Sequence, residues 1–141
     1  MTDYKRVFLD TAPVIYYLQK DTTYFERAKK YFYSLRLAGA AFVSSDITIA
    51  EYCVFPYRSG NEALLRALDG FFQAAQIEII HTSSLIAKEA ARIRAEYQGF
   101  KAMDSLQLAM AINSGCDLFL TNDKQLQRFK EIKCLMVEDL P

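Results

Sequence analysis

Two short runs constrain this chain more than any other feature. RVFL (6–9) and LFLT (118–121) show almost no alternation of apolar and polar residues. A strand with one face in water alternates; a strand without alternation is covered on both faces. Three further short runs, Ala41–Ser44, Ile77–Ile80 and Lys133–Val137, bring the expected strands to five. The segments between them are mostly long enough for helices, and parallel strands need such crossovers.

Helical spacing and capping signals fill those segments. Pro13–Gln19 follows the first strand, with Pro13 tolerated in a first turn. Thr23-x-x-Glu26 reads as a capping box that opens a helix over Tyr24–Ala38, stopped by Gly39. Ser45 or Asp46 caps a helix expected to reach about Tyr57. Glu62–Gln76, Leu85–Tyr97 (opened by Thr82 or Ser83), Met103–Ser114 and a short Asn122–Phe129 complete the set. Strands alternating with helices predict a mostly parallel sheet with helices on both faces. The length of 141 residues suits a single domain over 1–141.

Composition removes several classes. Seventeen basic and seventeen acidic residues cancel, which argues against avid, non-specific nucleic-acid coating. Cys53, Cys116 and Cys134 are odd in number and widely spaced, so neither a disulfide framework nor a zinc site is expected. The first residues carry no signal-peptide pattern, and no stretch approaches the ~18 apolar residues of a membrane span. The expectation is a soluble, cytoplasmic protein.

Ligand sites in parallel sheets lie beyond the carboxyl ends of the strands, and acids gather there. Asp10 ends the first strand. Asp123 follows the fourth, in LFLTND. Glu51 lies on the helix after the second strand, three residues from Thr48 and on the same face. Asp104 heads KAMDSLQLAMA (101–111), a helix otherwise apolar enough for an interior. Each acid alone has a plain reading as a helix cap or a solvated side chain. Together they repel one another unless a cation offsets the charge. An all-oxygen set suits Mg²⁺ or Mn²⁺, which can orient a phosphate and activate water.

FLDTAPVIYYL, ITIAEY and KAMDSLQLAMAINSGCDLFLTND resemble, in this order, the PIN-domain nucleases, particularly the VapC-type toxin ribonucleases. The resemblance implies a three-layer α/β/α (Rossmann-like) fold with a central parallel sheet of about five strands. It implies Mg²⁺- or Mn²⁺-dependent hydrolysis of RNA. It carries the family's acidic quartet onto Asp10, Glu51, Asp104 and Asp123, with Asp10 and Asp104 as direct metal ligands. Glu51 would take or orient the proton of water, and Asp123 would complete the site. Thr11 and Asn122 would position carboxylates or a phosphate oxygen. It also implies a small cognate antitoxin and a homodimer, with the faces near 14–18 and 24–35 available for either contact.

Other features weigh less. His81, the only histidine, reads as structural or solvent-facing, against a histidine-based ribonuclease. Tyr52, Phe55, Tyr57 and Arg58 suit base stacking or the packing of a helix end interrupted by Pro56. Tyr16 and Tyr17 read mostly as core. Lys101, Arg58 and Lys124 are candidate phosphate contacts or solvated charges. A dehalogenase-like phosphatase needs a second Asp where Ala12 stands. A receiver-type module needs an acid after the third strand, where Ile80-His81-Thr82 has none. A PIN-like scaffold without catalysis is the remaining alternative.

Overall fold

One five-stranded, all-parallel sheet organises the computed structural model, which describes residues 3–140. Met1, Thr2 and Pro141, part of the domain expected over 1–141, lie outside the described residues. The strands are β1 (Arg6–Leu9), β2 (Ala41–Ser45), β3 (Glu78–Ile80), β4 (Leu118–Thr121) and β5 (Lys133–Met136), in the order β3-β2-β1-β4-β5. β1 lies at the centre, paired with β2 on one side and β4 on the other. The winding direction therefore reverses between β1 and β4, which opens a crevice at their carboxyl ends.

The unbroken apolar runs have the predicted cause. Val7, Leu9, Leu118 and Leu120 face one core, with Val14 of α1 (Thr11–Leu18), Phe32 and Leu35 of α2 (Phe25–Leu37) and Leu68 and Phe72 of a later helix, Glu62–Ala74. Phe8, Val43 and Phe119 face the other, with Ile86 and Ile93 of Ser84–Glu96 and Leu108–Ala111 of Ala102–Asn113. Phe8 and Phe119 are register partners whose rings stack 5.2 Å apart and nearly parallel, at 4°. The result is a three-layer α/β/α arrangement.

Three helix expectations need correction. α2 begins at Phe25 without a capping box; the Asp21 carboxylate instead accepts the N–H groups of Thr23 (3.0 Å) and Tyr24 (2.8 Å). Asp21 can reach these donors because the chain turns back on it, with Phe25 N–H bonded to the Asp21 carbonyl. The helix expected to reach Tyr57 is two, α3 (Asp46–Tyr52) and α4 (Val54–Ser59). Pro56 has no N–H to give the carbonyl four residues back, that of Tyr52, where α3 ends. The helix expected over Asn122–Phe129 is a short 3₁₀ turn, Lys124–Arg128, capped by Asp123.

The remaining helices are α5 (Glu62–Ala74), α6 (Ser84–Glu96, capped by Ser83) and α7 (Ala102–Asn113). α6 and α7 form a hairpin whose loop sets where α7 begins. Gly99 there has φ +92°, a conformation open to glycine at little cost. Arg94 Nε donates to the Phe100 carbonyl and the Arg128 guanidinium to that of Gln98, which holds the loop. No helix among the described residues is long and apolar enough to cross a membrane.

α7 carries Asp104 and is anchored by Leu108, fully buried against the sheet. Leu108→Ala should lower unfolding free energy by about 2–5 kcal/mol, read as a lower urea midpoint at unchanged slope. A loss under about 1 kcal/mol would mean that α7 is not part of the core.

Candidate active site

The four acids arrive at one edge of the sheet from four segments. Asp10 follows β1 and caps α1; its Oδ1 accepts the Thr11 N–H at 2.9 Å. Glu51 lies near the end of α3, six residues after the Ser45 cap. Asp104 lies in the first turn of α7. Asp123 follows β4, and its Oδ1 accepts the Gln125 N–H at 3.0 Å. So Asp10 and Asp123 do act as helix caps, and their positions put them in the crevice as well.

Asp10 is the most buried of the four, 7% exposed. Its Oδ2 accepts from the Thr121 hydroxyl at 2.7 Å, and Gln107 Nε2 lies 3.4 Å from Oδ1. Burial raises the Asp10 pKa; the hydrogen bonds from Thr121, Thr11 and Gln107 pull it back down, and the nearby charge of Glu51 adds to the rise. Thr121 is itself placed by the chain beyond it, since its hydroxyl oxygen accepts the Asp123 N–H at 3.1 Å.

Asp104 is pushed up to about 7, first by burial and then by the fields of Asp10, Asp123 and Glu51; Lys101 opposes the rise. One acid thus feels the other three, and the expected quartet is brought together. Glu51 is exposed, and its carboxylate accepts from the Thr11 hydroxyl at 2.5 Å. Thr11 therefore positions a carboxylate as expected. Asn122 does not: its Nδ2 donates to the Tyr16 hydroxyl (3.0 Å) and its Oδ1 accepts the Glu138 N–H (3.1 Å), tying β4 to α1 and the chain end.

Beneath the acids lies a buried polar layer to which the sequence reading gave no supporting role in the site. Ser45, Thr48, Gln107 and Thr121 are all 0–1% exposed. The signal was present for Gln107. It follows Asp104 by three residues, on the same face of a helix that is otherwise apolar. Thr121 gave none, because a threonine at a strand end is ordinary.

Weaker candidates resolve individually. Tyr52 is fully buried and its hydroxyl donates to the Leu64 carbonyl, so it cannot stack on a base. Phe55 and Tyr57 are exposed. His81 is solvent-facing, 3.6 Å from Asp46. Lys124 sits 3.6 Å from Glu138, whereas Lys101 lies beside Asp104. Cys53, Cys116 and Cys134 are free, and burial raises all three thiols, Cys134 to about 12.

The sequence profile of the PIN domain matches residues 7–132. The chain belongs to the PIN domain family. Its fold is similar to that of VapBC2 from Rickettsia felis bound to a promoter DNA fragment, with TM-score 0.75 and 21% identity over 93% of this chain and 98% of that one. DNA-bound VapBC from Salmonella typhimurium gives 0.72 and 20% over 94% and 98%. VapC20 of Mycobacterium tuberculosis, described as a toxin cleaving the sarcin-ricin loop, gives 0.68 and 16% over 90% and 98%. A comparison with curated proteins gives no match.

The donor set suits a hard divalent cation: four carboxylates, no thiol and no imidazole, with mutual repulsion that a cation relieves. Among the described residues no three such groups stand close enough to clasp an ion as they are.

Without a cation the cluster opposes folding. Asp104 has a folded-state pKa above its unfolded value near 4, so its contribution is most favourable below about pH 4. Stability is then lost as pH rises through about 7. The shift corresponds to at most about 4 kcal/mol, and partial exposure reduces it to about 1–2 kcal/mol. In EDTA, Asp104→Asn should therefore stabilise the protein at pH 8 and leave it nearly unchanged at pH 4, by urea denaturation. Equal effects at both values would refute the burial account.

Proposed function

We propose that this chain is a metal-dependent endoribonuclease, the toxin of a type II toxin–antitoxin pair. The observation that carries the reading is the convergence of Asp10, Glu51, Asp104 and Asp123 at the switch point of a PIN-family sheet. Asp10 and Asp104 would hold Mg²⁺ or Mn²⁺, with Asp123 completing the set. The ion would neutralise charge on the phosphate and make water more acidic.

The chain's own residues supply the rest. Glu51 is exposed at the mouth of the site, held by Thr11, and can accept the proton of attacking water. Attack on phosphorus in line with the 3′ oxygen expels that oxygen and leaves 5′-phosphate and 3′-hydroxyl ends. No histidine stands among the acids, which argues against a histidine-based route to cyclic phosphates. Lys101 and Arg58, both exposed, offer a cationic rim for the flanking phosphates.

Two surfaces support partners. A groove of about 230 Å³ between α2 and α5 is lined by Tyr17, Phe32 and Phe71, with Lys29 and Arg36 at its rim. It overlaps the faces expected for protein contact and suits an antitoxin segment that is apolar with acidic flanks. Val54 and Met103 are exposed apolar residues that line a shallow cavity with Glu51, and this face suits a second copy. The similar folds seen in VapBC complexes support the antitoxin reading. Action on cellular RNA fits the cytoplasm.

Total cellular RNA incubated with the protein in Mn²⁺ or Mg²⁺ should yield discrete new 5′-phosphate ends. EDTA should abolish them, and Glu51→Gln should reduce the rate by about 10²-fold or more. A wild-type protein that neither cleaves nor binds metal would instead establish the catalytically inactive scaffold.

A further inference from the structure

Gln107 is an amide buried in the middle of α7, 1% exposed, with both ends in use. Its orientation follows from counting protons. Ser45 Oγ caps α3 and accepts the N–H groups of Ile47 (3.1 Å) and Thr48 (3.3 Å). The hydroxyl proton of Ser45 is left to donate, and the acceptor is Gln107 Oε1. Turned over, the amide would set its NH₂ against that proton, so only one orientation satisfies both groups. Nε2 therefore faces the acids, 2.8 Å from Thr48 Oγ1 and 3.4 Å from Asp10 Oδ1.

The same counting carries the effect further. Thr11 has one hydroxyl proton, and the short bond to Glu51 takes it. The Thr11 and Thr48 hydroxyl oxygens lie 3.4 Å apart, so the Thr48 proton is the one between them. The chain then runs one way: Gln107 N–H to Thr48, Thr48 O–H to Thr11, Thr11 O–H to the Glu51 carboxylate. Ser45, Thr48 and Gln107 are closed off from water, so no solvent molecule substitutes for a missing member.

We propose that Gln107 is a positioning residue of the carboxylate site. Its amide, oriented by Ser45, aims Asp10 directly and Glu51 through Thr48 and Thr11. Because Gln107 sits one turn beyond Asp104 on α7, it also ties the helix bearing Asp104 to the segments bearing Asp10 and Glu51. It touches no substrate. The functional part of this inference rests on the nuclease reading; the aiming of Asp10 does not.

A buried glutamine that merely packs would be replaceable by methionine, which has similar length and no hydrogen-bonding amide. Gln107→Met should fold, with far-UV circular dichroism like wild type. In the metal-free protein at fixed pH it should displace the Asp10 carboxyl carbon resonance and leave in place that of Asp117, which lies at the opposite end of β4 and accepts the Lys5 and Arg6 N–H groups. Its Mn²⁺ dissociation constant by calorimetry should rise about 10- to 100-fold, as for other groups that orient metal ligands. RNA cleavage should lose kcat with KM changed less than twofold. Gln107→His, whose neutral ring keeps one donor and one acceptor, should recover part of both.

A folded methionine variant with the Asp10 resonance unmoved and the Mn²⁺ constant within twofold of wild type would overturn the proposal. If that variant does not fold, Gln107→Glu takes its place; it keeps the shape and the acceptor for Ser45 and loses the donor to Asp10. An unmoved Asp10 resonance there would overturn the proposal equally. Failure of the wild type to bind Mn²⁺ or cut RNA would instead defeat the nuclease reading, while the metal-free resonance still decides the role of Gln107.

Discussion

The burial of the Asp10 carboxylate is the constraint on which the rest depends. An anion at the end of the central strand costs several kcal/mol unless donors surround it. Its donors come from three elements: Thr11 at the start of α1, Thr121 at the end of β4 and Gln107 in α7. Satisfying this one group therefore fixes the relative placement of β1, β4 and α7. The sheet order has the same effect from below, since β1 must lie between β2 and β4 for these donors to arrive. Fold and site are not separable here; the hydrogen bonds that make the anion tolerable also define the crevice.

The acids are arranged against the interests of stability. Asp104 rises to about 7 because it is partly buried and, next, because three like charges face it. Proteins retain such arrangements at functional sites, where a ligand relieves them. The formal charge of the whole chain is zero, so the concentration of negative charge at one edge is local. The two apolar cores, one on each face of the sheet, hold the frame while that edge remains unfavourable.

Much of this was legible before the structure. The five strands fall within a residue or two of their expected bounds because runs such as VFL and LFL have only one comfortable environment. Asp10 and Asp123 were legible by their places after strands, Asp104 by its place at the head of a helix, and Glu51, near the end of α3, by its spacing from Thr48. What stayed hidden depends on partners distant in sequence. Nothing local says that Thr121 donates to a residue 111 positions away. Asp21 displaced the capping box because a turn brought its carboxylate to the same donors first. Pro56 was noticed, but its effect is felt at the carbonyl it fails to serve, a full turn earlier. Asn122 looked like part of the site because it sits beside Asp123, yet its side chain points to Tyr16.

The bond between Thr121 and Asp10 also has a meaning in time. A ribosome delivers Asp10 more than a hundred residues before it delivers Thr121, and Gln107 arrives nearly as late. Until then the central strand lacks its β4 neighbour, and its terminal anion lacks two of its three donors. Contacts so far apart along the chain are costly to close and form late. The nascent chain thus carries this acid unassembled while more than a hundred further residues are made, and the crevice exists only once β4 has emerged.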